Sequence, residues 1–250
     1  TVLAIDESIP FDVTISNLTI QNGQARQGAG INARGRGTLT LKNCIIKENS
    51  AVSETKEDGT VSNAHGGGIW AANGTLNLVK TTVTENSSEY NAGGILISEN
   101  ETLNIDSETY ITKNKAVNSG GGVYINGGVF NMTAGEISEN TVNENGALLD
   151  SKNRKVGAGA GVNLNKGTFI LSGGKITGNT SPNNGGGVNQ NRGVFTMTGG
   201  KISGNSSENN GAGLYMNRGS FTMSGGKISG NKVTSYEYAY IENGSEKTSS

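Results

Sequence analysis

The sequence predicts an all-β protein, a right-handed parallel β-helix of about eight coils with three short strands in each. Three observations predict it: a phrase that recurs every 26 residues, alternating segments inside each repeat, and 40 glycines with only 2 prolines. "FTMTGGKISGN" at 195–205 returns as "FTMSGGKISGN" at 221–231, and "FILSGGKITGN" occupies 169–179. A fixed period of about 20–50 residues is typical of solenoids.

An asparagine ends each repeat and gives its period. These residues are Asn22, Asn49, Asn86, Asn114, Asn140, Asn179, Asn205 and Asn231, with spacings of 27, 37, 28, 26, 39, 26 and 26. The two long spacings add residues at the same point of the unit, which predicts inserted loops at 50–65 and 141–158. Stacked coils place equivalent points on one edge, so both loops should project from the same side.

Each repeat contains three short alternating segments rich in Thr, Val, Ile and Phe, as in "GVYIN", "TLTL" and "KISGN". Such segments, bounded by Gly and Asn, are typical of strands. They are too short and polar to pack as separate hairpins, but each can pair in parallel with its equivalent in the next coil. The preference of parallel crossovers predicts a right-handed coil.

Four inward columns of like side chains follow from this alternation. They are Ile31, Ile69, Ile95, Val123, Val162, Val188 and Leu214; Leu39, Leu76, Leu103, Phe130, Phe169, Phe195 and Phe221; Leu41, Leu78, Ile105, Met132, Leu171, Met197 and Met223; and Ile46, Val83, Ile111, Ile137, Ile176, Ile202 and Ile228. The eight repeat asparagines should tolerate a left-handed turn and stack their amides as a buried ladder. In the first coil Ile20 precedes Asn22 by two residues instead of three.

The repeat covers residues 1–231 and fails in the tail at 232–250. Tyr236, Tyr238 and Tyr240 alternate there as in a strand, and an open final coil is an aggregation-prone edge. The tail is therefore predicted to be a C-terminal cap.

Composition excludes several functional classes. The net charge is −1, which predicts no specific nucleic-acid partner, and the single cysteine, Cys44, cannot form an internal disulfide. No apolar stretch is long enough to span a membrane, and "TVLAIDESIPFDVTI" opens within a strand pattern instead of a signal peptide. We expect a monomeric fragment of a longer protein that makes no membrane contact itself.

"ISNLTIQNG" at 15–23, followed by "GAGI" and later by "GGGI" and "GGGV", resembles the β-helix repeats of bacterial adhesin-like surface proteins. These include the polymorphic outer-membrane proteins, which are autotransporter passengers. The resemblance covers residues 1–231. It implies an extracellular or cell-surface location. We predict a non-enzymatic role as a stalk or as a binder of host or surface glycans or proteins.

Many parallel β-helices are polysaccharide lyases or hydrolases, so a carbohydrate-active enzyme is the alternative. Glycosidases need two carboxylates about 5–10 Å apart. Only Asp6 and Asp12, on the opening coil, could approach each other, and they lack an obvious basic partner. His65, the lone histidine, ends an inserted loop and is interpreted as incidental. We expect no catalytic residue, metal or cofactor, and the mixed outward column from Thr40 to Thr222 is not the regular threonine array of an ice-binding face.

Trp70, Leu96 and Tyr124 follow the glycine clusters of three consecutive coils and point outward. They should form an apolar ridge beside the recess between the two loops, and such a ridge suits sugar stacking or a protein partner. The alternative is that loop 50–65 folds back over Trp70.

Basic residues supply a second candidate surface. Residues 1–140 hold 9 Lys/Arg and 15 Asp/Glu, a net of −6, whereas residues 141–230 hold 9 and 3, a net of +6. The basic residues align as two columns, Lys166, Arg192 and Arg218, and Lys175, Lys201 and Lys227. They are interpreted either as a polyanion-binding face or as a solvated face copied by duplication.

Overall fold

The computed structural model describes residues 1–5, 10–143, 146, 148–149, 156–234, 238–242 and 245–249, with side chains described through Thr234. Within these residues the chain forms a parallel β-solenoid of eight coils without helices. The predicted all-β repeat architecture is therefore confirmed. Asp6 and Tyr236, two residues named above, lie outside the described residues.

Sheet 1 has fourteen strands and takes two segments from each coil. The first segments are Leu3–Ile5, Ile31–Ala33, Ile69–Ala71, Ile95–Ile97, Val188–Gln190 and Leu214–Met216. The second segments are Phe11–Ser16, Gly37–Lys42, Thr75–Val79, Thr102–Ile105, Val194–Met197 and Ser220–Met223. In two coils both segments join into one strand, Val123–Met132 and Val162–Leu171.

Sheets 2 and 3 have eight parallel strands each. Sheet 2 contains Thr19–Gln21, Ile45–Lys47, Thr82–Thr84, Tyr110–Thr112, Glu136–Ser138, Lys175–Thr177, Lys201–Ser203 and Lys227–Ser229. Sheet 3 contains Gln24–Ala25, Ser50–Ala51, Ser87–Ser88, Lys115–Ala116, Thr141–Val142, Thr180–Ser181, Ser206–Ser207 and Lys232–Val233. The expectation of three strands per coil was therefore incomplete, because two-residue strands are too short to alternate detectably.

The four predicted inward columns form one continuous core. Phe130, Phe169, Phe195 and Phe221 stack with ring centroids 4.9, 4.8 and 4.9 Å apart. The column that contains Met197 and Met223 is buried in the preceding coils, but at the last coil Met223 is 43 % exposed. Among the described strands, none pairs with Ser220–Met223 on its outer side, so no described coil covers Met223.

The asparagine ladder extends from Asn49 to Asn231, and each of its members lies just after a strand of sheet 2. From Asn86 onward, each Oδ1 accepts both the backbone amide and the Nδ2 of the asparagine one coil earlier; Asn140 Oδ1, for example, is 3.0 Å from both nitrogens of Asn114. Asn140 Nδ2 also donates to the Ile111 carbonyl at 2.9 Å. Buried amides in this arrangement satisfy their own hydrogen bonds and fix the spacing of the coils.

Asn22 does not belong to the ladder, contrary to expectation. Ile20 pairs with Ile46, so the ladder position of the first coil is Gly23, whose amide donates to Asn49 Oδ1 at 2.8 Å. Asn22 instead has φ 59°, and Glu48, its equivalent one coil on, has φ 54°. The left-handed residue is thus the one before each ladder asparagine, and the ladder asparagines themselves have negative φ.

Both inserted loops leave the same edge of the solenoid, as predicted, but they are shorter than 50–65 and 141–158. Ser50–Ala51 and Thr141–Val142 belong to sheet 3, and His65 and Ala158 occupy equivalent bridge positions. Three bridge steps separate His65 from Ala158, so at a rise of about 4.8 Å per coil the loop roots lie about 14 Å apart.

Side chains of the scaffold tie down each loop. In the first, a hairpin of Glu54–Thr55 and Val61–Ser62 forms, and Glu89 accepts the Ser53 amide at 2.8 Å. In the second, Asn143 Nδ2 donates to the carbonyls of Leu148 and Val156.

The solenoid extends slightly beyond residue 231, because Lys232–Val233 pairs with Ser206–Ser207 in sheet 3. After it, Tyr238–Glu242 and Ser245–Ser249 form an antiparallel pair. The tail is therefore a hairpin rather than the single strand expected, and its capping role stays a prediction.

Candidate functional site

The edge that carries the loops continues as a row of parallel bridges. Its members are Gln27, His65, Asn91, Ser119, Ala158, Asn184 and Asn210. His65 lies at the root of the first loop with its ring 5.6 Å from that of Tyr90 in a T-shaped contact. Burial, and secondly the charge of Arg26, lower the pKa of His65. No repeat pattern indicates this pair, since Tyr90 has no aromatic equivalent in other coils.

Trp70, Leu96 and Tyr124 are direct neighbours on three coils, as predicted. They do not form an exposed apolar ridge, however, because Leu96 is only 4 % exposed and its two aromatic neighbours are half-buried. Burial, and secondly Tyr90, raise the pKa of Tyr124 to about 12. Whether these three residues bind a ligand stays a prediction.

Arg34 and Ser98, both outside the first loop, contact Trp70. The Arg34 guanidinium carbon lies 4.9 Å from the centroid of the indole ring, which is a cation–π distance. The indole Nε1 donates to Ser98 Oγ at 3.0 Å. The surface at Trp70 is therefore a mixed aromatic and basic surface.

A shallow groove of about 420 Å³ lies beside it, lined by Arg34, Arg36, Asn73 and Asn100. Asn100 Nδ2 donates to Asn73 Oδ1 at 3.3 Å across neighbouring coils. Guanidinium and amide donors of this kind suit carboxylate or hydroxyl oxygens.

The two basic columns both exist but differ in pairing. Lys175, Lys201 and Lys227 are in direct register on sheet 2, and all three are exposed. In the other column, Lys166 forms an ion pair with Glu99. That ion pair lowers the pKa of Glu99, chiefly through the hydrogen bond from Lys166.

The column of Lys166, Arg192 and Arg218 lies beside a second, outer ladder of asparagine amides. Asn191 Nδ2 donates to Asn165 Oδ1 and Asn217 Nδ2 to Asn191 Oδ1, each at 3.0 Å. Because Lys166, Arg192 and Arg218 each follow one of these asparagines, they lie on consecutive coils, with Lys166 neutralised at one end.

The carboxylates considered for catalysis give no pair in the described chain. Asp12 Oδ1 accepts the Thr38 backbone amide at 3.2 Å, and Asp6 lies outside the described residues. Within those same residues no group of three or more His, Cys, Asp or Glu side chains could hold a metal ion.

Glu101 is the ionisable residue that sequence reasoning missed. It lies between the two sheet 1 segments of its coil, is 3 % exposed, and its Oε2 accepts the Gly74 amide at 2.8 Å. Burial raises its pKa to about 7, although the bond from Gly74 opposes this. Glutamate inside a polar turn such as "SENET" gives no signal of burial.

The raised pKa of Glu101 predicts that the free energy of unfolding depends on pH. Because its folded pKa of about 7 exceeds the ordinary value of 4.5, the unfolded chain loses the proton first as pH rises. The folded state therefore loses stability between these two values, by about 3 kcal/mol in total. Glu101→Gln keeps an acceptor for Gly74, so we expect it to stabilise the protein by up to about 3 kcal/mol at pH 8 and by little at pH 4.

Denaturant unfolding at both pH values measures this difference. The matched control is Glu139→Gln, an exposed glutamate, which should change the free energy of unfolding by less than about 0.5 kcal/mol. An equal gain for Glu101→Gln at both pH values would contradict the assignment.

Comparison of the chain with protein-family models, curated proteins and solved structures found no match. Among the described residues, no helix has the length and apolar character needed to cross a membrane.

Proposed function

We propose that this chain is a non-enzymatic, extracellular segment of an adhesin-like surface protein, which holds a binding edge away from the cell. The observation that carries the proposal is the unbroken register of eight strands in sheet 2. Seven steps of about 4.8 Å give an axial length of about 34 Å. A stack in which every coil buries its side chains against the next is a stiff spacer.

The loop edge supports a binding role in addition to spacing. Loops tolerate insertion and carry function when a rigid scaffold positions them. Glu89 of the neighbouring coil accepts the Ser53 amide of the first loop, and Asn143, at the root of the second, donates to two carbonyls of that same loop. Trp70 and Tyr124 lie beside these loops and present partly exposed aromatic surface. Surfaces that combine aromatic rings with polar donors suit host or surface glycans or proteins.

Attachment of beads coated with the purified chain tests this proposal. We expect the coated beads to attach to a host-cell monolayer or to arrayed glycans, and Trp70→Ala with Tyr124→Ala to reduce attachment about tenfold or more, the size of effect that loss of aromatic anchors produces. The matched control is Tyr110→Ala, an exposed tyrosine on sheet 2 that is 44 % exposed and should leave attachment unchanged.

Two results would contradict the proposal. Release of products from acidic or neutral polysaccharides, lost on Asp12→Asn or Asp6→Asn, would make the chain a carbohydrate-active enzyme. Attachment that survives the aromatic double substitution would contradict the binding role of the loop edge.

A further inference from the structure

Three lysines form a row on the outer face of sheet 2 in the last three coils. Lys175, Lys201 and Lys227, the lysine row, are Cα partners and therefore lie about 4.8 Å apart. Like charges directly opposite each other on neighbouring strands destabilise a sheet. The fold does not require them, because the same position holds Ile45 and Thr82 in earlier coils.

The left-handed position beside the lysine row carries no acidic side chain in these three coils. The next outward position carries hydroxyl groups in these coils, from Thr177, Ser203 and Ser229. The left-handed position that follows holds glycines at 178, 204 and 230, whereas earlier coils hold Glu48, Glu85, Lys113 and Glu139 there. A Cβ at these three glycines would meet no atom closer than 3.4 Å. Space therefore does not explain the loss of the glutamates, although the positive φ favours glycine.

The lysine row is also unpaired within the described part of the chain. No Asp or Glu oxygen of a described residue lies within the 4.0 Å ion-pair distance of Lys175, Lys201 or Lys227. Glu136 is the Cα partner of Lys175 at one end of the row, but the two side chains form no ion pair. Lys166, in contrast, is paired with Glu99.

We propose that the lysine row binds a linear anionic polysaccharide that lies along the axis of the solenoid. Cations repeated at about 4.8 Å match a chain with regularly spaced carboxylates or sulfates, and the adjacent hydroxyl column can hydrogen-bond to sugar oxygens. The row runs across successive strands along the axis of the solenoid, which suits an extended chain. It has no aromatic side chain between the lysines on which bases of a single-stranded nucleic acid could stack. The inference goes beyond the proposed function, because the lysine row and the loop edge are different surfaces, and it rests on the proposed extracellular location.

Two triple variants with the same change in net charge test the proposal. The row variant is Lys175→Gln, Lys201→Gln and Lys227→Gln. The control variant is Lys42→Gln, Lys56→Gln and Lys113→Gln, three exposed lysines away from the row. Calorimetry measures binding of each protein to polygalacturonate, to heparin and to uncharged dextran.

We expect the wild type to bind both polyanions but not dextran, the row variant to bind at least about tenfold more weakly, and the control to stay within about twofold. Release of about three counterions should weaken wild-type binding roughly 20-fold when salt rises from about 50 to about 200 mM. Lys→Arg at the same three positions should preserve binding. The row variant should unfold at a temperature no lower than the wild type, since it loses only repulsion.

Several outcomes would overturn the proposal: no binding to either polyanion, equal losses in both triple variants, or tighter binding to double-stranded DNA with the same dependence on the row. Self-association that the row variant abolishes would make the acidic half of a second copy the occupant. Assaying the same mixtures for released sugar products separates the two proposals. Binding with cleavage contradicts the non-enzymatic function alone, whereas attachment of the beads without binding here contradicts the lysine row alone.

Discussion

Replacing Asn140 with alanine is expected to lower the free energy of unfolding by about 5 kcal/mol. The side chain accepts two hydrogen bonds from Asn114 and donates one to the Ile111 carbonyl. The substitution removes four hydrogen bonds within the buried ladder, including the one from Asn140 Nδ2 to Asn179 Oδ1. At about 1 kcal/mol per bond, with a further cost for the Asn114 backbone amide that loses this acceptor, the loss is about 5 kcal/mol. Because whole domains are stable by only about 5–15 kcal/mol, Asn140→Ala should nearly abolish the cooperative unfolding transition.

Asn104→Ala is the matched control for this prediction. Asn104 also belongs to an amide ladder, with bonds of 2.8 Å to Asn77 and from Asn131, but its ladder lies on the outer face of sheet 1, where water replaces lost partners. We expect a loss of about 1 kcal/mol or less. Urea unfolding of both variants, followed by circular dichroism, gives the comparison. Similar losses for the two would show that burial of the inner ladder is not what makes it important.

Phe169→Ala should cost about 4 kcal/mol. Phe169 is fully buried and stacks between Phe130 and Phe195 at 4.9 and 4.8 Å. Removing it leaves a cavity between two rings that the rigid backbone cannot close, and such truncations cost about 3–5 kcal/mol.

Phe169→Leu and Phe221→Ala are the controls for this prediction, and both should cost less than Phe169→Ala. Leucine occupies the same column at Leu103, so Phe169→Leu should cost less than about 1.5 kcal/mol. Phe221 is only partly buried at the last coil, so its truncation should cost less than that of Phe169. A Phe221→Ala effect as large as that of Phe169→Ala would mean that residues beyond Thr234 cover the end of the stack.

The two halves of the solenoid have opposite net charge, negative over residues 1–140 and positive over residues 141–230. Glu48, Glu85 and Glu139 occupy the left-handed position in the acidic half, where glycine replaces them in the basic half. Non-glycine residues at positive φ cost about 1 kcal/mol each. In the acidic half, these glutamates therefore lower the stability of the fold through backbone strain. In the basic half, the lysines in register on sheet 2 lower it through mutual repulsion.

The repeat by itself determined the fold class, the inward columns and the edge from which the loops emerge. This was possible because each coil contacts only its neighbours, so a residue's surroundings are its own equivalents one period away. The columns through Ile31, Leu39 and Ile46 could be named from spacing alone for this reason. The irregular spacing of Ile20 and Asn22 was also visible in the sequence, but it did not show that Asn22 lies outside the ladder.

Only the tertiary structure decided the features that depend on neighbours outside the period. Asn22 leaves the ladder because Ile20, not the asparagine, sets the register of the first coil. Leu96 is outward by alternation but buried, and Glu101 lies in a polar turn yet is buried with a raised pKa. Lys166 pairs with Glu99, which is 67 residues away. Periodicity predicts which way a side chain points, whereas its exposure and charge state depend on the particular side chains packed around it.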